Sequence, residues 1–294
     1  MNPRERGFLL LTSHLGDQER KVLTVAQLRT LALRMRDMAQ PVENRNLTEQ
    51  DLIRIGCDRE LSQRIVALLE QEDLLDRYLA RAAARDCVPI TRVSENYPPV
   101  LRQRLGLDSP GCLWARGDVE ILRTSAISLV GCRELSKPNR EFAEAVGYQA
   151  AEQGLTLVSG NARGADRAAQ DACLRAGGRV ISIVADSLNR VPPRNVLYLS
   201  EDGFDEDFSA QRALSRNRCI HALGRMVFVA QSDLQKGGTW SGTAKNLRFG
   251  WSPVVCFRDG SEAASQLEQM GAYQIGMEDL RDLTGIQMPD NLLW

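Results

Sequence analysis

The chain has 294 residues, 43% hydrophobic and 26% charged, with 37 Lys and Arg against 38 Asp and Glu and a formal net charge of -1. That length carries two ordinary domains with full apolar cores, and the composition excludes a disordered, collagenous or coiled-coil chain. The near-zero charge excludes nucleic-acid binding by bulk positive charge, so any polyanion site is local.

Residues 1–85 are rich in Leu, Arg, Gln and Glu, with helical spacing such as Val25, Leu28, Leu31 and Ala32, and predict a small all-helical domain. Thr48 and Asp51 have the form of a capping box ahead of Leu52 and Ile53, and Leu61, Ile65, Leu68 and Leu69 put an apolar stripe on the next helix. Residues 51–66 have the outline of a helix-hairpin-helix around Gly56, whose backbone amides approach a phosphate. A packing turn between two helices needs the same glycine and is the simpler reading.

The texture changes at residue 86, and a second domain is expected from there to Trp294. Residues 88–91 and 113–116 are strand-like, separated by Tyr97-Pro98-Pro99. A regular alternation follows: an apolar run at 126–130, a helical stripe of Phe142, Val146 and Ala150 ending at Gly154, and a strand at 155–158. Next come a helix over about 165–176 stopped by Gly177-Gly178, a strand at 180–184, a helix over about 208–223, and apolar runs at 226–230 and 253–257. Apolar strands alternating with amphipathic helices predict an α/β fold, a Rossmann-like, doubly wound and mostly parallel sheet covered on both faces. The acidic run 201–207 reads as a solvated loop whose charges favour the N-terminus of the next helix. The seven cysteines include no C-x-x-C pair and are joined by only two histidines, His14 and His221, so no metal site is expected. Scattered, odd-numbered thiols without a signal peptide fit buried fillers in a reducing cytoplasm, and no apolar run approaches the about 18 residues of a membrane helix.

In an open parallel sheet, ligands bind beyond the carboxyl ends of the strands. The first such loop here is Gly131-Cys132-Arg133, and the second runs from Ser159 and Gly160 through Asn161, Arg163 and Gly164 to Asp166. After the strand ending at Ala230, Lys236-Gly237-Gly238-Thr239-Trp240-Ser241-Gly242-Thr243 reads as a third loop. Each offers glycines that let backbone N–H groups close on an oxyanion, hydroxyls, and a cation able to grip phosphate. Arg216 and Arg218, two apart on a helix, cannot share one solvated face, so one points toward the sheet or a neighbour. Arg194, after Pro192-Pro193, adds a further cation. The candidate DNA- or phosphate-binding residues are Gly131, Arg133, Ser159, Gly160, Arg163, Gly164, Arg194, Arg216, Arg218, Lys236, Gly238, Thr239 and Ser241. Trp240 is a candidate platform for base stacking, and equally a Trp packed under its loop. Neither G-x-x-x-x-G-K-[ST] nor G-x-G-x-x-G occurs, which removes the main support for an ATPase or a dinucleotide dehydrogenase. No cofactor is called for.

In combination, Gly131-Cys132-Arg133, the segment 159–166 followed by a helix and Gly177-Gly178, and Arg216-Asn217-Arg218 before a strand and a Gly/Ser/Thr loop resemble the DprA (Smf) DNA-processing family. Tyr97-Pro98, Leu101 and residues 113–117 are similar to that family's lead-in, and the resemblance spans about residues 88–272. It implies an extended Rossmann-like fold, single-stranded DNA as ligand, handover of that DNA to the RecA recombinase, a homodimer, and no catalytic residue. The chain departs from the family pattern at Cys132, where Ser is usual, at Asn161 and Ala165, where a large aliphatic is usual, and in the loop 238–243. Too few residues follow Phe257 for the winged helix that many members append.

The alternative within the same fold superfamily is a nucleotide-binding sensor or a phosphoribohydrolase-like enzyme resembling the LOG proteins. Those use a Gly-Gly-x-Gly-Thr loop followed by a glutamate. Here Gly237-Gly238 and Gly242-Thr243 are split, and Asn246 stands where a carboxylate base is needed. Asp166 and Asp186 are the remaining candidates, and Asp166 reads as a helix cap or a partner for Arg163.

Overall fold

The structure, a computed structural model, describes residues 1–36, 47–192 and 194–286. Pro193 and the expected end of the second domain at Trp294 lie outside the described residues. Five helices come first: α1 (Pro3–Thr12), α2 (Val25–Arg36), α3 (Glu49–Arg54), α4 (Arg59–Leu69) and α5 (Glu72–Ala83). They are followed by β1 (Cys87–Thr91), α6 (Pro99–Leu105), β2 (Cys112–Arg116), β3 (Ala126–Val130), α7 (Lys137–Glu152), β4 (Thr156–Ser159), α8 (Ala165–Arg175), β5 (Arg179–Ile183) and β6 (Val196–Ser200). The chain continues through α9 (Ala210–Leu223), β7 (Val227–Val229), α10 (Gly237–Phe249), β8 (Val254–Phe257), α11 (Glu262–Gln269) and β9 (Tyr273–Ile275).

The strands form one sheet in the order β1-β2-β6-β5-β4-β3-β7-β8-β9. The seven strands from β6 to β9 are parallel, and β2 and β1 extend that sheet antiparallel at one edge. Alternate residues of each strand serve opposite faces. Ile127 and Leu129 join Phe142, Val146 and Ala169 of α7 and α8 in one apolar cluster, whereas Ala126 and Val130 join Leu101, Cys219 and Ile220 of α6 and α9 in the other. With helices on both faces, every residue of β3, β4 and β6 is buried, which is why these strands read as unbroken apolar runs.

The first expected helix pair is present. Thr48 Oγ1 accepts from the Asp51 amide at 3.2 Å and Asp51 Oδ2 accepts from the Thr48 amide at 3.0 Å, the reciprocal capping box read from the sequence. The turn at Gly56 is overlain by Arg34 and adjoins a cluster of Leu11, Leu31, Leu52, Ile65 and Leu68, so it works as a packing turn. A second cluster continues straight into the sheet: Leu9, Leu10, Leu75 and Tyr78 share it with Trp114 and Phe204. The Tyr78 ring stands edge-on to Trp114 at 5.2 Å and lies 4.9 Å from Phe204, and its hydroxyl donates to Asp205 at 2.7 Å.

Three expectations are corrected. Residues 236–243 are not a loop but the opening turns of α10; Gly and Ser are weak helix formers, and Trp240 and Leu247 packed against the core override that propensity. The strand β6 was not anticipated, because the connection from β5 contains only a 3-10 turn at Leu188–Arg190 and no α-helix. The acidic run 201–207 is not a freely solvated loop. Glu201 pairs with Arg218 at 2.7 Å, Asp202 and Glu206 with Arg212 at 2.8 and 3.0 Å, Asp207 with Arg190 at 2.7 Å, and Asp205 with Arg81 of α5. Six cysteines are buried, Cys132 is half-buried and all are free, as the scatter predicts.

Candidate phosphate-binding site

The chain runs outward from β3 through β4, β5 and β6 on one side, then returns to lay β7 on the other side of β3. The crevice between the segments that leave β3 and β7 is therefore a topological switch point, where open α/β sheets hold ligands. A cavity of about 600 Å³ opens there, and Gly131, Arg133, Arg163, Asp166, Arg216, Lys236, Gly238 and Thr239 line it.

Two helices begin at this cavity, and their N-termini differ. At α8 the amide of Ala165 donates to the Cys132 carbonyl at 3.2 Å and the amide of Ala162 to Asp166 Oδ2 at 3.2 Å, so part of that terminus is satisfied internally. Gly164 makes the close approach possible: its φ is +89°, and a Cβ there would strike the carbonyl oxygens of Cys132 and Arg133. At α10 the N-cap is Lys236, which supplies no side-chain cap. The α10 dipole and its leading amides thus face the cavity without an internal acceptor from the cap, the arrangement that receives an anion. Asn217 Nδ2 donates to the Gly238 carbonyl at 3.1 Å and holds this turn against α9. Asn217 lies inside the Arg-Asn-Arg run, yet nothing in the sequence alone marked it as the tether.

The floor holds two buried charged side chains, Arg216 and Asp166, that lie close together beside Gly160 without a direct ion pair. Arg216 is 9% exposed, and its Nε and Nη1 have no hydrogen-bond partner among the described residues. Asp166 is also buried; Gly160 has no side chain because a Cβ there would strike both the Arg216 guanidinium and the Asp166 carboxylate. Burial raises the Asp166 pKa and the charge of Arg216 opposes that rise, while burial lowers the Arg216 pKa and Asp166 opposes the fall. Asp166 therefore faces Arg216 and not Arg163 as the sequence suggested. Arg163 reaches Glu134 at 3.4 Å with its side chain 78% exposed, and Arg133 is exposed as well. The site thus combines exposed cations at the rim with a buried guanidinium below.

Several predicted residues are placed elsewhere. Arg218 faces away from Arg216, as two helical positions must, and is committed to Glu201. Arg194 pairs with Asp171 at 2.6 Å on the outer side of α8. Ser159 is buried and accepts from Gln170 Nε2 at 2.6 Å. Gly160 and Gly164 shape the walls without lining the cavity, and Ser241 opens onto a neighbouring cleft. Trp240 is half-buried with its side chain packed against the core. Asn246 is buried and used up: its Oδ1 accepts from the Ser252 amide at 2.9 Å and its Nδ2 lies 3.2 Å from His221 Nδ1. Asp186 pairs with Arg190 at 3.2 Å. His221, missed as a site residue, lines the inner end of the cavity fully buried, and burial depresses its pKa to about 3.

The family model for DNA recombination-mediator protein A matches residues 89–283. DNA processing protein DprA of Streptococcus pneumoniae is 33% identical over 141 residues, 44% of this chain and 50% of that protein. Protein Smf of Escherichia coli is 31% identical over 156 residues, 49% of this chain and 41% of that protein. The chain thus aligns with half or less of the length of these relatives. The crystal structure of the S. pneumoniae protein superposes with a TM-score of 0.68 at 24% identity, covering 91% of this chain and 99% of that one. The Helicobacter pylori DNA processing protein A, whose structure concerns its single-stranded DNA binding mode, gives 0.56 at 23% identity over 66% of this chain and 94% of that one. These two likenesses establish the fold. With the matched family model running from within β1 through β9 and across the switch-point cavity, the chain belongs to the DNA recombination-mediator protein A family.

Proposed function

We propose that this protein binds single-stranded DNA at the switch-point cavity and serves as a recombination mediator, a cytoplasmic homodimer that shields the strand and passes it to the RecA recombinase without chemistry of its own. The observation that carries the reading is the convergence of Arg133, Arg163 and Lys236 on one cavity beside the uncapped N-terminus of α10. In this reading Gly131, Gly238 and Thr239 let backbone and hydroxyl donors approach a phosphate, and Arg216 supplies the fixed charge beneath it. The commitments of Asn246 and Asp186 count against a hydrolase of the same superfamily.

Salt dependence tests it. Of the predicted cations, Arg218 and Arg194 are paired elsewhere and Arg216 faces Asp166, which leaves three rim charges to displace counterions. The logarithm of the oligonucleotide association constant plotted against the logarithm of salt concentration then has a slope of about -2, at about -0.7 per single-strand phosphate contact. A mononucleotide that binds as tightly as the oligonucleotide, with no such slope, overturns the reading in favour of a nucleotide sensor.

A further inference from the structure

A second cleft of about 820 Å³ adjoins the phosphate cavity, and Leu214 lines both. The two hollows are the two sides of α9. Arg216, Asn217 and Ile220 face the first, whereas Gln211, Ser215 and Arg218 face the second, with Leu214 on the crest between them and 52% exposed. The opposite wall belongs to α10, whose first turn reaches the phosphate cavity and whose Ser241, Lys245 and Phe249, spaced four apart, form one stripe along the second cleft. The same two helices therefore frame both spaces.

The chemistry of the two spaces differs. The second cleft is lined by exposed apolar side chains, Val25, Leu107, Leu214 and Phe249, the last 61% exposed. Phe249 stacks on Trp251 with ring centroids 5.8 Å apart and planes at 16°, which leaves a flat aromatic face. Contiguous exposed apolar surface of this kind marks an interaction site. Its charges do not favour phosphate: Arg218 is neutralised by Glu201, Asp202 and Asp108 also lie on the wall, and Lys245 is the remaining cation. A strand whose phosphates sit in the first cavity has neutral, flat, apolar bases to place, and this cleft opens to them across Leu214, which packs on the first turn of α10, with the aromatic face of Phe249 at the far end of that helix, about 16 Å further along.

We infer that the cleft between α9, α10 and the helical segment is the base-binding half of the nucleic-acid site, with the strand held by its phosphates at Arg133, Arg163 and Lys236 and its following nucleobases packed along the cleft from Leu214 to Phe249. This inference rests on the single-stranded DNA reading above. Base–aromatic stacking is sequence-tolerant, because every base has a π face, so the cleft gives length-dependent affinity without sequence preference.

The test compares an oligothymidylate with an abasic oligonucleotide of equal length, using the full chain and its Phe249→Ala variant. Phe249 is exposed and outside the phosphate cavity, so the variant folds. The expected result is an approximately tenfold loss of affinity for oligothymidylate in Phe249→Ala, with unchanged affinity for the abasic strand. Lys236→Ala, in contrast, weakens both. Equal affinity of wild type and Phe249→Ala for oligothymidylate overturns the base cleft and leaves the phosphate site standing. Equal losses on both strands also overturn it, as does a change of oligomeric state in sedimentation, which assigns the cleft to a second copy of the chain. Failure of the wild type to bind either strand removes the parent reading and this one together.

Discussion

Replacing Arg133 and Arg163 together by alanine lowers the affinity for single-stranded DNA by roughly two to four decades and leaves the melting temperature almost unchanged. Each guanidinium loses a charge-assisted phosphate contact of about 1.5 to 3 kcal/mol, and 1.4 kcal/mol is tenfold in affinity. The folded state loses little. Arg163 is mostly exposed and its partner Glu134 is 90% exposed, and surface pairs of this kind contribute about 0 to 1 kcal/mol. Melting and binding measured on the same samples separate the two roles. A variant that melts earlier but still binds DNA at wild-type affinity shows that these arginines only pin loops, and ends the phosphate-site argument.

Acidification produces the second large effect, through His221. Its ring is fully buried, with Nδ1 beside Asn246 and Nε2 unpartnered among the described residues, and burial lowers its pKa from 6.5 to about 3. A depressed histidine pKa means that the unfolded chain takes up a proton below about pH 6.5 while the folded chain does not until about pH 3. Stability is therefore lost as pH falls across that window, by about 1.4 kcal/mol per unit, reaching about 2 kcal/mol at pH 5 and about 4 kcal/mol near pH 3.5. Asp166 and Glu201 act in the opposite sense, because burial raises their pKa values and protonation relieves them as pH falls through the carboxylate range. Urea unfolding of the wild type and His221→Gln at pH 7 and pH 5 isolates the histidine. The variant is expected to lose about 2 kcal/mol less between those pH values, and an identical pH dependence of the two proteins refutes the assignment.

The sheet was legible because buried parallel strands leave no polar face, so runs such as 126–130 and 180–184 stand out from the amphipathic helices around them. The exceptions have physical causes. β6 follows β5 without a helix, so the alternation that signalled the other strands was missing. α10 opens on glycines and hydroxyls, a composition shared by loops and by anion-binding helix N-termini, and only its packing against the core decides between them. The site was partly legible for a related reason. Glycines and cations at strand ends singled out Arg133, Arg163 and Lys236, and the two-residue spacing of Arg216 and Arg218 required one to turn inward. Which carboxylate would answer which arginine was not legible. Asp171 takes Arg194 and Glu201 takes Arg218, pairings made across the fold that no sequence spacing encodes, and Asp166 lies near Arg216 without pairing with it. Phe249 and Leu214 were invisible for the opposite reason, since apolar helix residues are assigned to a core until the structure leaves them outside it.

Tyr78 completes a triangle of rings with Trp114 and Phe204, themselves 5.5 Å apart, and is clasped by Asp205 and Arg81, which bears on what can be cut from the protein. The sequence changes character near residue 85, yet one apolar cluster runs across that point. Removing the preceding helices would uncover an indole and a phenyl ring that contact water nowhere in the folded chain, and buried rings of this size each shield about 150 to 250 Å². The five helices thus share an apolar cluster with the sheet, and Tyr78 and Arg81 of α5 tie through Asp205 to the connection from β6 to α9, the helix that carries Arg216 and Arg218.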